Sequence, residues 1–228
     1  MTPFTAAIFD MDGLLLDSER VIMQAWLMAA REERLRLAEP DFLLVVGRGA
    51  QESTAMLSQL LGGPGSFQRV RDRARARLAA QQGVVFPLKP GALRLLELLR
   101  ARGVPCAVAS STHVDEVRRR LAKVGVLDYF QALAGGDEVS RSKPDPAVYL
   151  LAAARLGVPA AQCLAFEDSD HGARAAHDAG LGVVVVPDLK SYEFESACMT
   201  LSSLEEAVAH VDRWFSGSAT TPGAAAPC

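Results

Sequence analysis

Five short apolar runs alternate with helical patterns along this chain, and no other feature constrains its fold as strongly. The runs are AAIFD (6–10), VPCAVAS (104–110), QALAG (131–135), CLAFED (163–168) and LGVVVV (181–186). They are continuously apolar instead of alternating, which suits strands covered on both faces, the situation of a parallel sheet. Between them lie GALRLLELLRARG (91–103), HVDEVRRRLAKVG (113–125), PAVYLLAAARLG (146–157) and DHGARAAHDAG (170–180), with apolar residues at helical spacing and glycine stop signals. The predicted class is therefore α/β, a doubly wound and mostly parallel Rossmann-like sheet.

One stretch breaks the rhythm. Residues 18–86 contain no strand pattern, while ERVIMQAWLMAAREERLRL, AQESTAMLSQLL and RVRDRARARLAAQQ read as helices, with GGPGS as a loop. A block of that length lies within the domain range. The expected organisation is an α/β core over 1–17 and 87–215, a helical insertion over 18–86, and a disordered tail over 216–228, where SGSATTPGAAAPC is small and poor in large apolar residues.

Composition narrows the partners. Half of the 228 residues are hydrophobic and the net charge is −3, so the chain has a full core and no basic footprint for nucleic acid or anionic membranes. The N-terminus lacks the basic start and small-residue cleavage site of a signal peptide, and no apolar run approaches a membrane span. The expectation is a cytoplasmic protein, a monomer or weak dimer. Cys106, Cys163, Cys198 and Cys228 form none of the close pairs of zinc or redox motifs and read as reduced core or tail residues.

The polar residues at the strand ends carry the chemistry. In an open parallel sheet the ligand crevice lies at the carboxyl ends of the strands. Asp10 and Asp12 follow the first run, Ser110 the second, and Glu167 and Asp168 close the fourth, with Lys143 preceding the helix that leads to it. Crowded carboxylates repel unless a cation neutralises them, and an oxygen-rich set without His or Cys suits Mg²⁺. The spacing excludes a calcium-binding EF-hand loop, since Gly13 falls two positions early. Acids, a lysine and a hydroxyl together are what phosphoryl transfer uses: cations for the oxyanion, a hydroxyl donor, and a carboxylate to attack.

On these motifs the chain resembles the haloacid dehalogenase superfamily, in the branch with a helical cap inserted after the first motif. DMDGLLLDSE corresponds to the first motif, VASST with Ser110 and Ser111 to the second, SKPDP with Lys143 to the third, and FEDSDHGARAAHDAGL to the fourth. The resemblance implies Asp10 as the nucleophile that becomes a phosphoaspartate and Asp12 as the proton donor and acceptor. It implies Mg²⁺ at Asp10, the backbone carbonyl of Asp12 and Asp168, with Glu167 steadying a coordinated water, and Ser110, Ser111 and Lys143 on phosphoryl oxygens. Asp17 and Ser18, and residues 86–90, fall near the two hinges of the cap.

Departures within the superfamily narrow the reaction. Dehalogenases lack the second aspartate and the metal, and phosphonatases replace that aspartate, so Asp12 and the Glu167–Asp168 pair argue against both. β-Phosphoglucomutases keep all four motifs but carry a histidine ten residues beyond the second aspartate, where this chain has Ile22. The expected activity is a Mg²⁺-dependent phosphatase of a small phosphorylated metabolite, a sugar phosphate or a relative of one. A phosphosugar mutase and a non-catalytic binding protein are the alternatives. Arg48, in GRGAQES, is the candidate substrate contact from the insertion. His171 and His177 read as solvated or capping residues, and RVRDRARAR (69–77) as a solvated helical face.

Overall fold

A computed structural model describes residues 3–46, 50–80, 85–190, 192 and 194–215. Its sheet has six parallel strands: β1 (Ala6–Phe9), β2 (Cys106–Ala109), β3 (Ala132–Ala134), β4 (Cys163–Glu167), β5 (Gly182–Val185) and β6 (Met199–Thr200). Their spatial order is β3-β2-β1-β4-β5-β6. The chain winds outward from β1 in one direction through β3 and then restarts at β4 on the other side, so the order reverses between β1 and β4.

The two faces of the sheet are filled differently. On one, Phe9 stacks on its register partner Phe166 at 4.8 Å, and Trp214 meets Phe166 edge-on at 5.7 Å. Helices α5 (Ala92–Ala101), α6 (Val114–Lys123), α9 (Leu204–Val208) and α10 (Val211–Trp214) cover this face with Leu95, Leu96, Val117, Leu121 and Trp214. On the other, alanines of the strands (Ala6, Ala107, Ala109, Ala165) receive alanines of α7 (Ala147–Leu156) and α8 (Asp170–Asp178). Small residues on both sides let those two helices lie close to the strand ends, and both helices contribute to the site.

The five strands and four core helices read from the sequence are present within a few residues of the expected bounds. The pattern contained no sign of β6, α9 or α10. Each is two to five residues long, too short for periodicity to register. Cys106 and Cys163 are buried and free, whereas Cys198 departs from the expectation in being disulfide-bonded. The expected tail, 216–228, lies outside the described residues. Among the described residues no helix is long and apolar enough to cross a membrane.

Helices α1 (Ser18–Glu32), α2 (Glu39–Leu43), α3 (Ala50–Leu60) and α4 (Pro64–Ala80) gather around their own apolar cluster, with Trp26 against Phe42 and Phe67 at 6.3 and 5.7 Å. The arginine-rich stretch in α4 is more than a solvated face. Val70 and Ala74 point inward, while Arg69, Arg73 and Arg77, one helical turn apart, pair with Glu33 and Glu32 at the end of α1. The chain leaves and re-enters the core through adjacent segments: Asp17 N–H donates to Pro87 O at 2.8 Å, Lys89 N–H to Leu15 O at 2.9 Å, and Leu16 bridges Leu88.

Candidate active site

The site forms at the carboxyl ends of β1 and β4, where the strand order reverses. Asp10 is the first residue past β1, and its N–H donates to Phe166 O at 3.0 Å, which extends the β1–β4 ladder by one bond. Asp168 is the first residue past β4, and Glu167 is the last within it. These three carboxylates are buried and their nearest oxygens lie within 4.8 Å of one another.

Lys143 enters this cluster from the loop before α7. Its side chain is 7% exposed, and its ammonium donates to Asp10 at 2.5 Å, Glu167 at 2.6 Å and Ala109 O at 2.9 Å. Glu167 is saturated: Oε1 accepts from Lys143 and from Tyr149 at 2.5 Å, while Oε2 accepts from Asp168 N–H at 3.1 Å and Ser169 Oγ at 3.2 Å. Glu167 therefore orients the lysine, and its lone pairs are already committed. Asp10 and Asp168 are the less committed acids.

Electrostatics follow from burial and charge count. Desolvation pushes Asp10 up to about 8 against the opposing pull of Lys143. Burial, with Asp10 and Glu167 beside it, also raises Asp168 well above the carboxylate range. Burial works against the Lys143 ammonium, but two adjacent carboxylates outweigh it and hold the proton on lysine. Three carboxylates face one ammonium, so the cluster cannot hold all three negative charges unaided, and burial and mutual repulsion drive Asp10 and Asp168 towards their protonated forms. A divalent cation with hard oxygen ligands fits that donor set.

Two glycines shape the cluster. Gly13 has φ +85°, and a Cβ there would lie 2.2 Å from Asp168 Oδ2, so the turn after Asp12 can pass beside Asp168 only without a side chain. Gly172, in the first turn of α8, approaches Glu167 so closely that a Cβ would sit 2.0 Å from Oε1. Ser169 caps that helix by accepting from Gly172 N–H at 3.1 Å.

The two aspartates of the first motif part company. The Asp12 carboxylate is outside the acid cluster: Oδ2 accepts from Thr112 Oγ1 at 2.9 Å and Oδ1 from Arg120 at 2.6 Å. Arg120 comes from α6, also pairs with Glu116 at 2.7 Å, and lies 4.8 Å over the Phe86 ring in the segment returning from the helical insertion. Ser110 is buried at the end of β2, where its Oγ accepts from Thr112 N–H at 3.1 Å. Ser111 beside it is exposed. Arg48 lies outside the described residues.

Beside Asp168 a cavity of about 280 Å³ opens between core and helical insertion, lined by Glu19, His171, Asp188, Lys190 and Tyr192 among others. Burial, with Asp188 alongside, pushes the Glu19 carboxyl up to about 7. His171 and His177 take no part in the acid cluster. Sequence reasoning did not single out Glu19, Thr112, Arg120, Tyr149, Asp188 or Tyr192. Only Glu19 carried a signal, its place in the first motif's DSE.

The ordered cluster and the strand reversal have a counterpart in known proteins. A family model described as haloacid dehalogenase-like hydrolase matches residues 4–180. The chain belongs to the haloacid dehalogenase-like hydrolases. This hydrolase is 31% identical over 176 residues to a phosphorylated carbohydrates phosphatase of Thermotoga maritima, covering 77% of this chain and 82% of that one. Hexitol phosphatase B of Escherichia coli K12 is 34% identical over 215 residues, 90% of this chain and 94% of that one. The structure of Rhodobacter sphaeroides CbbY in complex with xylulose-(1,5)bisphosphate is similar at a TM-score of 0.70 and 28% identity, covering 89% of this chain and 96% of that one. The expected fold and enzyme class, a phosphomonoester hydrolase of this superfamily, are borne out.

Proposed function

We propose that this hydrolase is a Mg²⁺-dependent phosphatase of small sugar or polyol phosphates, acting through a phosphoaspartate on Asp10. The observation that carries the reading is the buried ammonium of Lys143, which touches Asp10 and Glu167 at the edge where the sheet reverses. The relatives named as carbohydrate and hexitol phosphatases support the substrate class.

In this reading an Asp10 carboxylate oxygen attacks phosphorus, the ester P–O bond breaks, and Asp12 protonates the departing alcohol oxygen. Asp12 then takes a proton from the water that attacks the phosphoaspartate, and the bond to Asp10 breaks to release inorganic phosphate. Lys143 and Ser110 hold phosphoryl oxygens, with Ser111 beside them. Mg²⁺, held by the Asp10 and Asp168 carboxylates and the Asp12 carbonyl with Glu167 behind them, supplies charge neutralisation for two anions that would otherwise repel. Splitting the displacement into two steps matters because phosphate monoesters are among the slowest substrates to hydrolyse unaided.

Residues 18–86 act as the cap, with the bridged segments around Leu16 and Leu88 as its hinge. Asp12 leaves Thr112 and Arg120 to reach the leaving oxygen, and Arg48 is the cap's substrate contact. Ile22 packs against the cap's apolar cluster, which leaves the mutase-specific polar contact unmade and favours water as the final acceptor. The test is phosphate release from an aryl phosphate with Mg²⁺. Asp10→Asn should lower kcat by at least about 10³-fold, the scale of losing a nucleophile. Release that persists in Asp10→Asn or in excess EDTA sinks the proposal, and rapid isomerisation of a hexose phosphate would put the mutase in its place.

A further inference from the structure

The cavity beyond Asp168 presents hydrogen-bond acceptors that nothing among the described residues uses. Asp188, in the loop after β5, has a side chain only 1% exposed. Its Oδ1 accepts from Lys89 and, at 3.2 Å, from Arg20, while Oδ2 has no partner among the described residues. Among the described residues Glu19 Oε2 and the Tyr192 hydroxyl, on the same lining, are also unpartnered. Three buried oxygens without partners in one wall are costly unless a ligand satisfies them.

The sign of the wall is equally one-sided. Among the described lining residues, Asp168 apart, four carboxyl groups stand against one lysine and one histidine. Lys89 and Arg20 both pair with Asp188. A hydroxyl can donate to Glu19, Asp188 or Tyr192, whereas a second phosphate or a carboxylate would bring negative charge against buried acids.

The geometry points to a substrate whose body, beyond the reacting phosphate, is neutral and polyhydroxylated, with Glu19 and Asp188 as the specificity-determining acceptors that admit monophosphates and reject bisphosphates and phospho-acids. The inference rests on the phosphatase reading for which end of the ligand reacts. Matched ligands test it: a hexitol 6-phosphate against the hexitol 1,6-bisphosphate, titrated with Mg²⁺ into the full-length Asp10→Asn protein by calorimetry. The monophosphate should bind at least about tenfold more tightly, because the bisphosphate places a like charge against a desolvated carboxylate. In the Asp10→Asn, Glu19→Gln double variant the ratio should fall below about threefold, since the amide removes the charge and keeps the shape. Equal or tighter binding of the bisphosphate overturns the inference, as does a ratio that Glu19→Gln leaves unchanged. Wild-type aryl phosphatase activity, measured alongside, separates the two ideas. A preserved binding preference without aryl turnover supports the selectivity and removes the hydrolytic reading, while turnover without preference does the reverse.

Discussion

A methyl group at position 172 sets two effects of opposite sign against each other. Alanine is the better helix former by about 1 kcal/mol, so in an open helix Gly172→Ala would stabilise. Here the new Cβ would lie 2.0 to 2.1 Å from both carboxylate oxygens and the Cδ of Glu167, far inside van der Waals contact. Glu167 is fully buried, and its oxygens are held by Lys143, Tyr149, Ser169 and a backbone N–H, so it cannot swing aside freely. Overpacking of this kind costs about 1–3 kcal/mol, so the net expectation is a loss of up to about 2 kcal/mol in urea denaturation. The catalytic consequence is larger. Relief of the clash moves Glu167, and with it Lys143 and Asp10, by a substantial fraction of an ångström, and a displacement of about 1 Å at reacting groups can cost about 10²-fold in rate. The companion variant is Gly65→Ala in the first turn of α4, where the nearest atom to a new Cβ is an Arg69 side-chain nitrogen at 3.9 Å. It should be neutral or stabilising by up to about 1 kcal/mol, with unchanged turnover of aryl phosphate. If both variants behave alike, close approach of α8 to Glu167 is not what reserves position 172 for glycine.

Tyr149→Phe removes one donor from Glu167 but keeps the ring that lies 4.9 Å from the Lys143 ammonium. Stability should fall by about 1–2 kcal/mol, with kcat/KM reduced less than by Lys143→Met, and a larger loss than that variant would mean Tyr149 touches the substrate. Glu138 is held down to about 2, chiefly by its bond to Arg155. The stability it contributes is complete above its unfolded value near 4.5 and is lost as pH falls towards 2. Glu138→Gln should therefore cost about 1 kcal/mol at pH 7, discounted for the pair's exposure, and nothing near pH 2, read from paired denaturation curves. Arg120→Gln releases the Asp12 carboxylate from its ion pair, so single-turnover loss of aryl phosphate should quicken, by up to about tenfold if the pair is worth about 1.4 kcal/mol. A slower rate would mean that Arg120 belongs to the working geometry of Asp12.

What could be read from the residues depended on whether their role was local. Strands covered on both faces must be continuously apolar, so Ala6–Phe9 and Cys163–Glu167 announced themselves, and so did the acids where those runs stop. Which acid does what could not be read that way. Asp10 and Asp12 look equivalent in DMDG, yet one lies in the cluster with Glu167 and Asp168 while the other is held by Thr112 and Arg120, about a hundred residues along the chain. Tyr149, Arg120 and Asp188 left no pattern, because in an amphipathic helix or a loop a polar residue facing a distant carboxylate has the same spacing as one facing water. Charge counting restores part of that information once positions are known. The lysine that the third motif singled out is the one cation within reach of Asp10 and Glu167 among the described residues, so the excess of acids over cations at the strand ends is intrinsic to the motif set. The cavity wall repeats the imbalance farther out, at residues no motif marks, and that repetition ties the choice of substrate to the same electrostatics as the chemistry.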